Sequence, residues 1–315
     1  MNPAVGCSVI VPVYNSEGTL RELAARLAAV LPSVTQRHEL LFVNDGSRDG
    51  SWGRVCDLAQ TYPWVRGIDL MKNYGQHNAL LCGIRSARGG LIITLDDDLQ
   101  HPPEEIPKLI GKLSEGYDLI YGTPEAQRHG FWRGFASRLT KIGLQSALGA
   151  ETARKVSAFR VFHASLREAF LDYNGPLPCM DVLLTWGARR VGSVTVRHDL
   201  RREGKSNYDV PKLIRHTLNM VTGFSLWPLR LASLLGFAFT FFGFLVLVYV
   251  IGRFFIEGGS IPGFPFLASI IALFSGVQLF TLGIIGEYLS RVHFRTMGRP
   301  TYVVRRHIGQ AERQG

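Results

Sequence analysis

"LIITLDDDLQHPPEE", running from Leu91 to Glu105, carries a short apolar run straight into three consecutive aspartates. A run of that length, ended by turn formers, reads as a strand buried on both faces of a parallel sheet. Four other runs share its character: "SVIVPV" (Ser8–Val13), "ELLFV" (Glu39–Val43), "VRGIDL" (Val65–Leu70) and "DLIYG" (Asp118–Gly122). Helix-period segments separate them. One opens at Thr19 with Glu22 at capping-box spacing, and others cover 51–62, 76–87 and 104–115. The alternation predicts an α/β fold, a Rossmann-like, mostly parallel sheet with helices on both faces. Ligands of such sheets bind at the carboxyl ends of the strands, which is where the aspartates fall. If Asp96 and Asp98 extend the strand, their side chains point the same way. Such a pair suits a hard divalent cation, and magnesium prefers one or two carboxylates completed by substrate phosphates.

The 315 residues are 46% hydrophobic, enough for one large core and a membrane segment. Lys and Arg number 35 against 25 Asp and Glu, and the net charge of +10 points to anionic partners: phosphates, nucleotides, anionic lipid or nucleic acid. Cys7, Cys56, Cys82 and Cys179 show no metal spacing and read as reduced thiols of a cytosolic domain. The first residues lack the basic region of a signal peptide. From Leu231 to Gly252 there are 22 residues without a charge, and a second uncharged stretch covers 258–286 with Pro262 and Pro265 at its start. The expected organisation is a cytoplasmic domain over 1–208, an interfacial or packed amphipathic helix over 209–228, two membrane helices within 229–288 (about 230–252 and 264–286) and a cytoplasmic tail over 289–315. The link carries only Arg253 and Glu257, whereas Arg215, Arg230, Arg291, Arg295, Arg299, Arg305 and Arg306 flank the spans, so both ends are expected in the cytoplasm.

Two more strand ends are polar: "VPVYNSE" with Pro12, Tyr14, Asn15 and Glu17, and "VNDGSRDGS" with Asp45, Gly46 and Ser47. Turn and cap preferences explain part of this. Together the two ends can also form a pocket for a base and a ribose. "KNYGQHNA", from Lys72 through Gln76 to Ala79, sets a glycine and polar groups at a helix N-terminus, where backbone amides favour phosphate. His77, His101 and His198 lack zinc-ligand spacing and read as structural or solvent-facing.

The order "SVIVPVYN", "VNDGSRDGS", "KNYGQHNA", "TLDDDLQHPPEEIPKLI", "SAFR", "RREGKSNY", two spans and "IGEYLSRV" resembles the family 2 glycosyltransferases of GT-A fold that act on polyprenyl phosphates. Among them it is most similar to the bacterial undecaprenyl-phosphate aminoarabinose-pathway transferases, with polyprenyl-phosphate glucosyltransferases and dolichol-phosphate mannose synthases as relatives. The resemblance implies that Asp96 and Asp98 coordinate Mg2+ or Mn2+ as a DxD motif, with Asp97 in the variable middle position and Gln100 nearby. It also implies that Pro12, Tyr14, Glu17 and Asp45 contact the nucleotide. Ser16 and Asn44 depart from acidic residues of relatives, and Arg154 stands where relatives carry an Asp ahead of the "FR" of Phe159 and Arg160. Arg154 and Arg160 are expected to serve the acceptor phosphate, and Arg201 and Lys205, in a basic loop, the donor diphosphate. Further expectations are a UDP-sugar donor, an undecaprenyl or other polyprenyl phosphate acceptor, contact with membrane lipid at the bacterial inner membrane, a homo-oligomer (a tetramer in relatives) and no nucleic-acid partner.

Two rival functions fit parts of the pattern. One keeps the donor site but serves a polysaccharide acceptor, for which a two-span hairpin is small. The other is a membrane-associated binding module whose catalysis decayed at Arg154, which the intact aspartates oppose.

Overall fold

A computed structural model describes residues 5–124, 155–175, 178–199, 227–257 and 263–309. Its centre is an eight-stranded sheet in the order β7-β5-β6-β4-β1-β2-β3-β8. The strands are β1 (Val5–Val13), β2 (His38–Asn44), β3 (Val65–Leu70), β4 (Gly89–Thr94), β5 (Leu119–Pro124), β6 (Arg160–His163), β7 (Val191–Val196) and β8 (Val304–Ile308). β6 and β8 run against the other six. The sheet is therefore mostly parallel, as the sequence predicts.

Period-two alternation divides the strand side chains between two layers. Val9, Val11, Leu40 and Phe42 join the core under α1 (Glu17–Val34), α2 (Ser51–Thr61) and α4 (Ile106–Leu113). Ile10, Leu41 and Val43 face the core under α3 (Gln76–Ser86) and α5 (Met180–Gly187). α1 buries Leu20, Leu23, Leu27 and Leu31, a stripe at three- and four-residue spacing. Truncating one of these to Ala costs about 2–5 kcal/mol. The four cysteines are free thiols, and burial pushes Cys7, Cys82 and Cys179 up to about 12.

Several local expectations shift. α1 begins at Glu17 with Ser16 as its N-cap, and Thr19 lies in the first turn, its hydroxyl donating to the Ser16 carbonyl. A single 3-10 turn, Pro103–Glu105, precedes α4: Pro107 has no N–H to close an α-helical bond on the Pro103 carbonyl, which accepts the Ile106 N–H instead. Leu91–Thr94 belongs to a strand that starts earlier, at Gly89, and stops before the first aspartate.

The apolar spans form α6 (Trp227–Glu257) and α7 (Phe264–Thr296), both long and apolar enough to cross a membrane. Phe239 meets Phe274 edge to face at 6.0 Å, and the bare Gly243 backbone admits the Phe274 ring. Both helices outrun the expected spans: Arg253 and Glu257 sit on α6, and Pro265 lies in the first turn of α7, where proline is tolerated. Most of 209–228 lies outside the described residues, as does Pro262.

The expected tail is not all tail. Residues 304–308 form β8, which pairs Val304 with Leu70 and Ile308 with Gly67, while the Met71 N–H donates to the Val303 carbonyl at 2.9 Å. β8 thus enters the sheet beside the carboxyl end of β3. Only seven residues lie between Thr296 and Val304, and those eight steps along the chain reach at most roughly 29 Å. The linker thus limits how far the end of α7 can lie from the carboxyl end of β3, the end of the strands at which the aspartates fall.

Candidate active site

The ladder between β1 and β4 ends with the Leu95 N–H donating to the Ile10 carbonyl. The next donor on β1 would be Pro12, which has no N–H to carry the ladder on, and past Val13 the strand gives way to Tyr14 and Asn15, where Asn15 takes φ 54°. The chain turns instead, with Leu99 at φ 60°. Asp96, Asp97 and Asp98 therefore do not extend the strand; a turn presents them, and side-chain alternation is not what brings Asp96 and Asp98 together. Gln76 Nε2 donates to Asp96 Oδ1 at 2.6 Å, the Tyr14 N–H to Asp97 Oδ2 at 3.2 Å, and the Gln100 N–H to Asp98 Oδ1 at 3.1 Å.

All three aspartates line a cleft of about 410 Å³ at the carboxyl ends of β1, β2 and β4. Pro12, Tyr14, Asp45, Gln76 and Gln100 line it as well, joined by Val13, Asn73 and Gly75. Val13 had no individual signal in sequence, whereas Asn73 and Gly75 belong to the "KNYGQHNA" run that places a glycine and polar groups at a helix N-terminus. Gly75, at φ 93°, contributes bare backbone at the N-terminus of α3, where the sequence sets a glycine.

Asp45 is buried, and its two oxygens accept the N–H groups of Tyr74 (2.7 Å) and Gly75 (2.8 Å), so it anchors the Lys72–Gln76 loop. Burial raises its carboxyl above the ordinary range, against the pull of those two amides. Gly46, at φ 66°, lets this loop close: a Cβ there would lie 2.5 Å from the Asn73 nitrogen. Asn15 ties the other two loops together, its N–H donating to Ser47 Oγ (3.0 Å) and its Oδ1 accepting from the Arg48 N–H (2.8 Å).

Other expected residues sit away from the cleft lining. Glu17 accepts the Gly50 N–H at 3.1 Å and pairs with Arg54 at 3.6 Å, which joins α1 to the turn before α2. Lys72 lies over the Tyr74 ring, 5.3 Å from its centroid. Arg160 requires a correction: it is not presented to the cleft. Its Nε donates to Thr94 Oγ1 at 2.9 Å, and its guanidinium pairs with Asp181 in a buried network that the Tyr121 hydroxyl also enters at 3.2 Å. A guanidinium so enclosed is stable only with its carboxylate. Arg154, Arg201 and Lys205 lie outside the described residues.

Of the three histidines, His77 Nδ1 accepts the Met180 N–H at 3.3 Å, and His101 packs on His198, with 5.0 Å between ring centroids. Burial pushes His101 down to about 4, with His198 beside it acting the same way. Burial likewise raises Asp97, opposed by the Ser16 hydroxyl and the Tyr14 N–H. Among the described residues no three His, Cys, Asp or Glu side chains converge as a ready-made ion cage. The cleft instead offers a few carboxylate oxygens, a donor set that fits a hard divalent cation completed by phosphate oxygens and water.

A profile of the family described as Glycosyl transferase family 2 matches residues 8–172. The undecaprenyl-phosphate 4-deoxy-4-formamido-L-arabinose transferase of Pseudomonas paraeruginosa is 34% identical over 311 residues, covering 96% of this chain and 91% of the relative. Its namesake in Serratia proteamaculans is 35% identical over 314 residues, covering 98% and 96%. Among solved structures, glucosyl-3-phosphoglycerate synthase from Mycobacterium tuberculosis, crystallised with Mn2+, UDP and glucosyl-3-phosphoglycerate, superposes with a TM-score of 0.50 at 18% identity, over 70% of this chain and 80% of that one. A second complex of the same synthase, with Mn2+, UDP and phosphoglyceric acid, gives a TM-score of 0.51 at 17% identity over 70% and 77%. At such identity the likeness is one of fold, the GT-A sheet with its helices.

Proposed function

Because the chain belongs to glycosyl transferase family 2, we propose that it transfers a sugar from a UDP-linked donor to undecaprenyl phosphate, or another polyprenyl phosphate, at the cytoplasmic face of a bacterial inner membrane. The product would serve cell-envelope glycan assembly or lipid A modification. One observation carries this assignment. The carboxylate-lined cleft opens at the sheet edge where β8 returns from two membrane-length helices, so an acceptor phosphate held at a bilayer surface has a short route to a donor in the cleft.

In this proposal Pro12, Tyr14 and the Asp45 region receive the base and ribose, with Gly46 and Glu17 fixing the turns that present them. Asp96 and Asp98, with Gln100 beside them, would hold Mg2+ or Mn2+, whose chemistry is to offset the charge that develops on the departing diphosphate. Gln76 orients Asp96 through its carboxamide, and backbone amides hold Asp97 and Asp98 in the turn, so the carboxylates are set before the donor arrives.

No protein base is required. A phosphate monoester has its second pKa at about 6, so the acceptor oxygen is already largely anionic at neutral pH. It attacks the anomeric carbon from the face opposite the leaving group, with inversion. Arg154 would hold the acceptor phosphate in place of the carboxylate that relatives carry, and Arg201, Lys205 and Lys72 would contact donor phosphates. The cytoplasmic domain is assigned to 1–208 with β8 added from beyond the hairpin, and a tetramer is the proposed assembly.

Incubating the purified full-length chain with a panel of nucleotide sugars, undecaprenyl phosphate and Mg2+ tests the assignment. The expected result is sugar label in an organic-extractable, acid-labile lipid for one UDP-linked donor. Label entering polymer, or no product with any donor, would overturn it.

A further inference from the structure

The strand that follows the membrane hairpin reaches the donor side of the cleft through a short line of side chains. Arg306, on β8, donates from Nε to Asp69 Oδ2 at 3.0 Å, and its guanidinium lies over the Trp52 ring at 4.9 Å. Asp69, buried at the end of β3, accepts the Asn44 carboxamide on its other oxygen at 2.7 Å. Asn44 closes β2, and its Oδ1 accepts the Ser47 N–H at 3.4 Å. The Ser47 hydroxyl in turn accepts the Asn15 N–H next to Tyr14. Each link is a hydrogen bond between groups that are in contact, and the line ends on both loops that carry the expected base and ribose contacts.

The chemistry of the middle link is specific. An amide at position 44 can donate to Asp69, whereas a carboxylate there would face Asp69 as a like charge. With Asn44 on one oxygen and Arg306 on the other, the buried Asp69 carboxylate is held on both sides. The adjoining backbone reinforces this arrangement. The Arg305 guanidinium donates to the Met71 carbonyl at 2.9 Å, at the head of the loop that Asp45 anchors.

We propose that Arg306 is a positioning residue for the donor site: acting through Asp69 and Asn44, it fixes the Asp45–Ser47 turn, so that seating of the post-hairpin strand and nucleotide binding favour one another. This rests on the donor assignment made above. By linkage, a nucleotide bound in the cleft would also tighten β8 on the sheet.

The test uses the full-length chain in detergent, with UDP and Mg2+ as the probe in calorimetry and donor turnover measured alongside. Arg306 is half exposed, so R306A should fold. We expect it to raise the Kd for UDP and the donor KM about fivefold to twentyfold while kcat stays within about twofold. R306K, which keeps a cation in reach of Asp69, should recover most of the affinity. Adding D69N to R306A should cost little more than R306A alone, since both interrupt the same line. Unchanged UDP affinity in folded R306A, or fully additive effects in the double variant, would overturn the coupling while leaving the donor assignment standing. A wild-type chain that binds no nucleoside diphosphate would overturn both.

Discussion

The two edges of the sheet both carry buried or half-buried acids, and they treat them in opposite ways. At the amino edge Glu39 accepts the Ser8 hydroxyl at 2.6 Å, the Arg88 N–H at 2.7 Å and the Arg66 guanidinium at 2.7 Å, tying the starts of β1, β2, β3 and β4 into one closed knot. At the carboxyl edge Asp96, Asp97 and Asp98 take hydrogen bonds from a carboxamide and two backbone N–H groups while lining an open cleft. A carboxylate matched to a guanidinium in the interior holds a fold together. Carboxylates arrayed on a turn at the mouth of a cleft are positioned for a ligand. The same residue chemistry thus serves architecture at one end of the strands and reaction at the other.

That contrast can be broken by substitution, and the largest effect on stability should lie at the amino edge. E39A strands the Arg66 guanidinium, which is only 7% exposed, and should cost about 3–5 kcal/mol, read as a lower denaturant midpoint with an unchanged slope. A midpoint within error of wild type would mean that the knot is ornamental. G46A comes next. It forces a side chain into the left-handed region against the Lys72–Asn73 backbone and should cost about 1–3 kcal/mol while weakening nucleotide binding.

The smallest effect should be a gain. Burial raises the Asp97 carboxyl, so the folded state resists its ionisation and gives up stability as pH climbs past its pKa. D97N removes that loss. It should stabilise the chain by under about 1 kcal/mol at pH 7, and the advantage should vanish as pH falls to where Asp97 is protonated in both states. A gain that persists unchanged at pH 4 would contradict burial as the cause.

Much of the carboxyl edge was legible in sequence. Val65–Leu70 is a strand as expected, and Asp45, Asp96, Asp98 and Gln100 meet in one cleft because strand ends of a parallel sheet converge. What escaped was non-local. β8 reads in sequence as a basic tail, "VRRHI", and becomes a strand only because β3 offers an unpaired edge some 230 residues earlier in the chain. Arg160 carries no mark of burial in sequence, since its partner Asp181 lies 21 residues away on another element. The turn at Asp97–Asp98 was likewise hidden, because it depends on the register that sets Pro12, without an N–H, at the end of the β1–β4 ladder and not on the aspartates' own preferences.

The central claim is that the aspartates at the carboxyl edge act on chemistry and not on folding, and D98A tests it most directly. Purified D98A should unfold at the same denaturant concentration as wild type yet lose sugar transfer to undecaprenyl phosphate by at least about a thousandfold in the presence of Mg2+. Near-normal turnover in a folded D98A would contradict it.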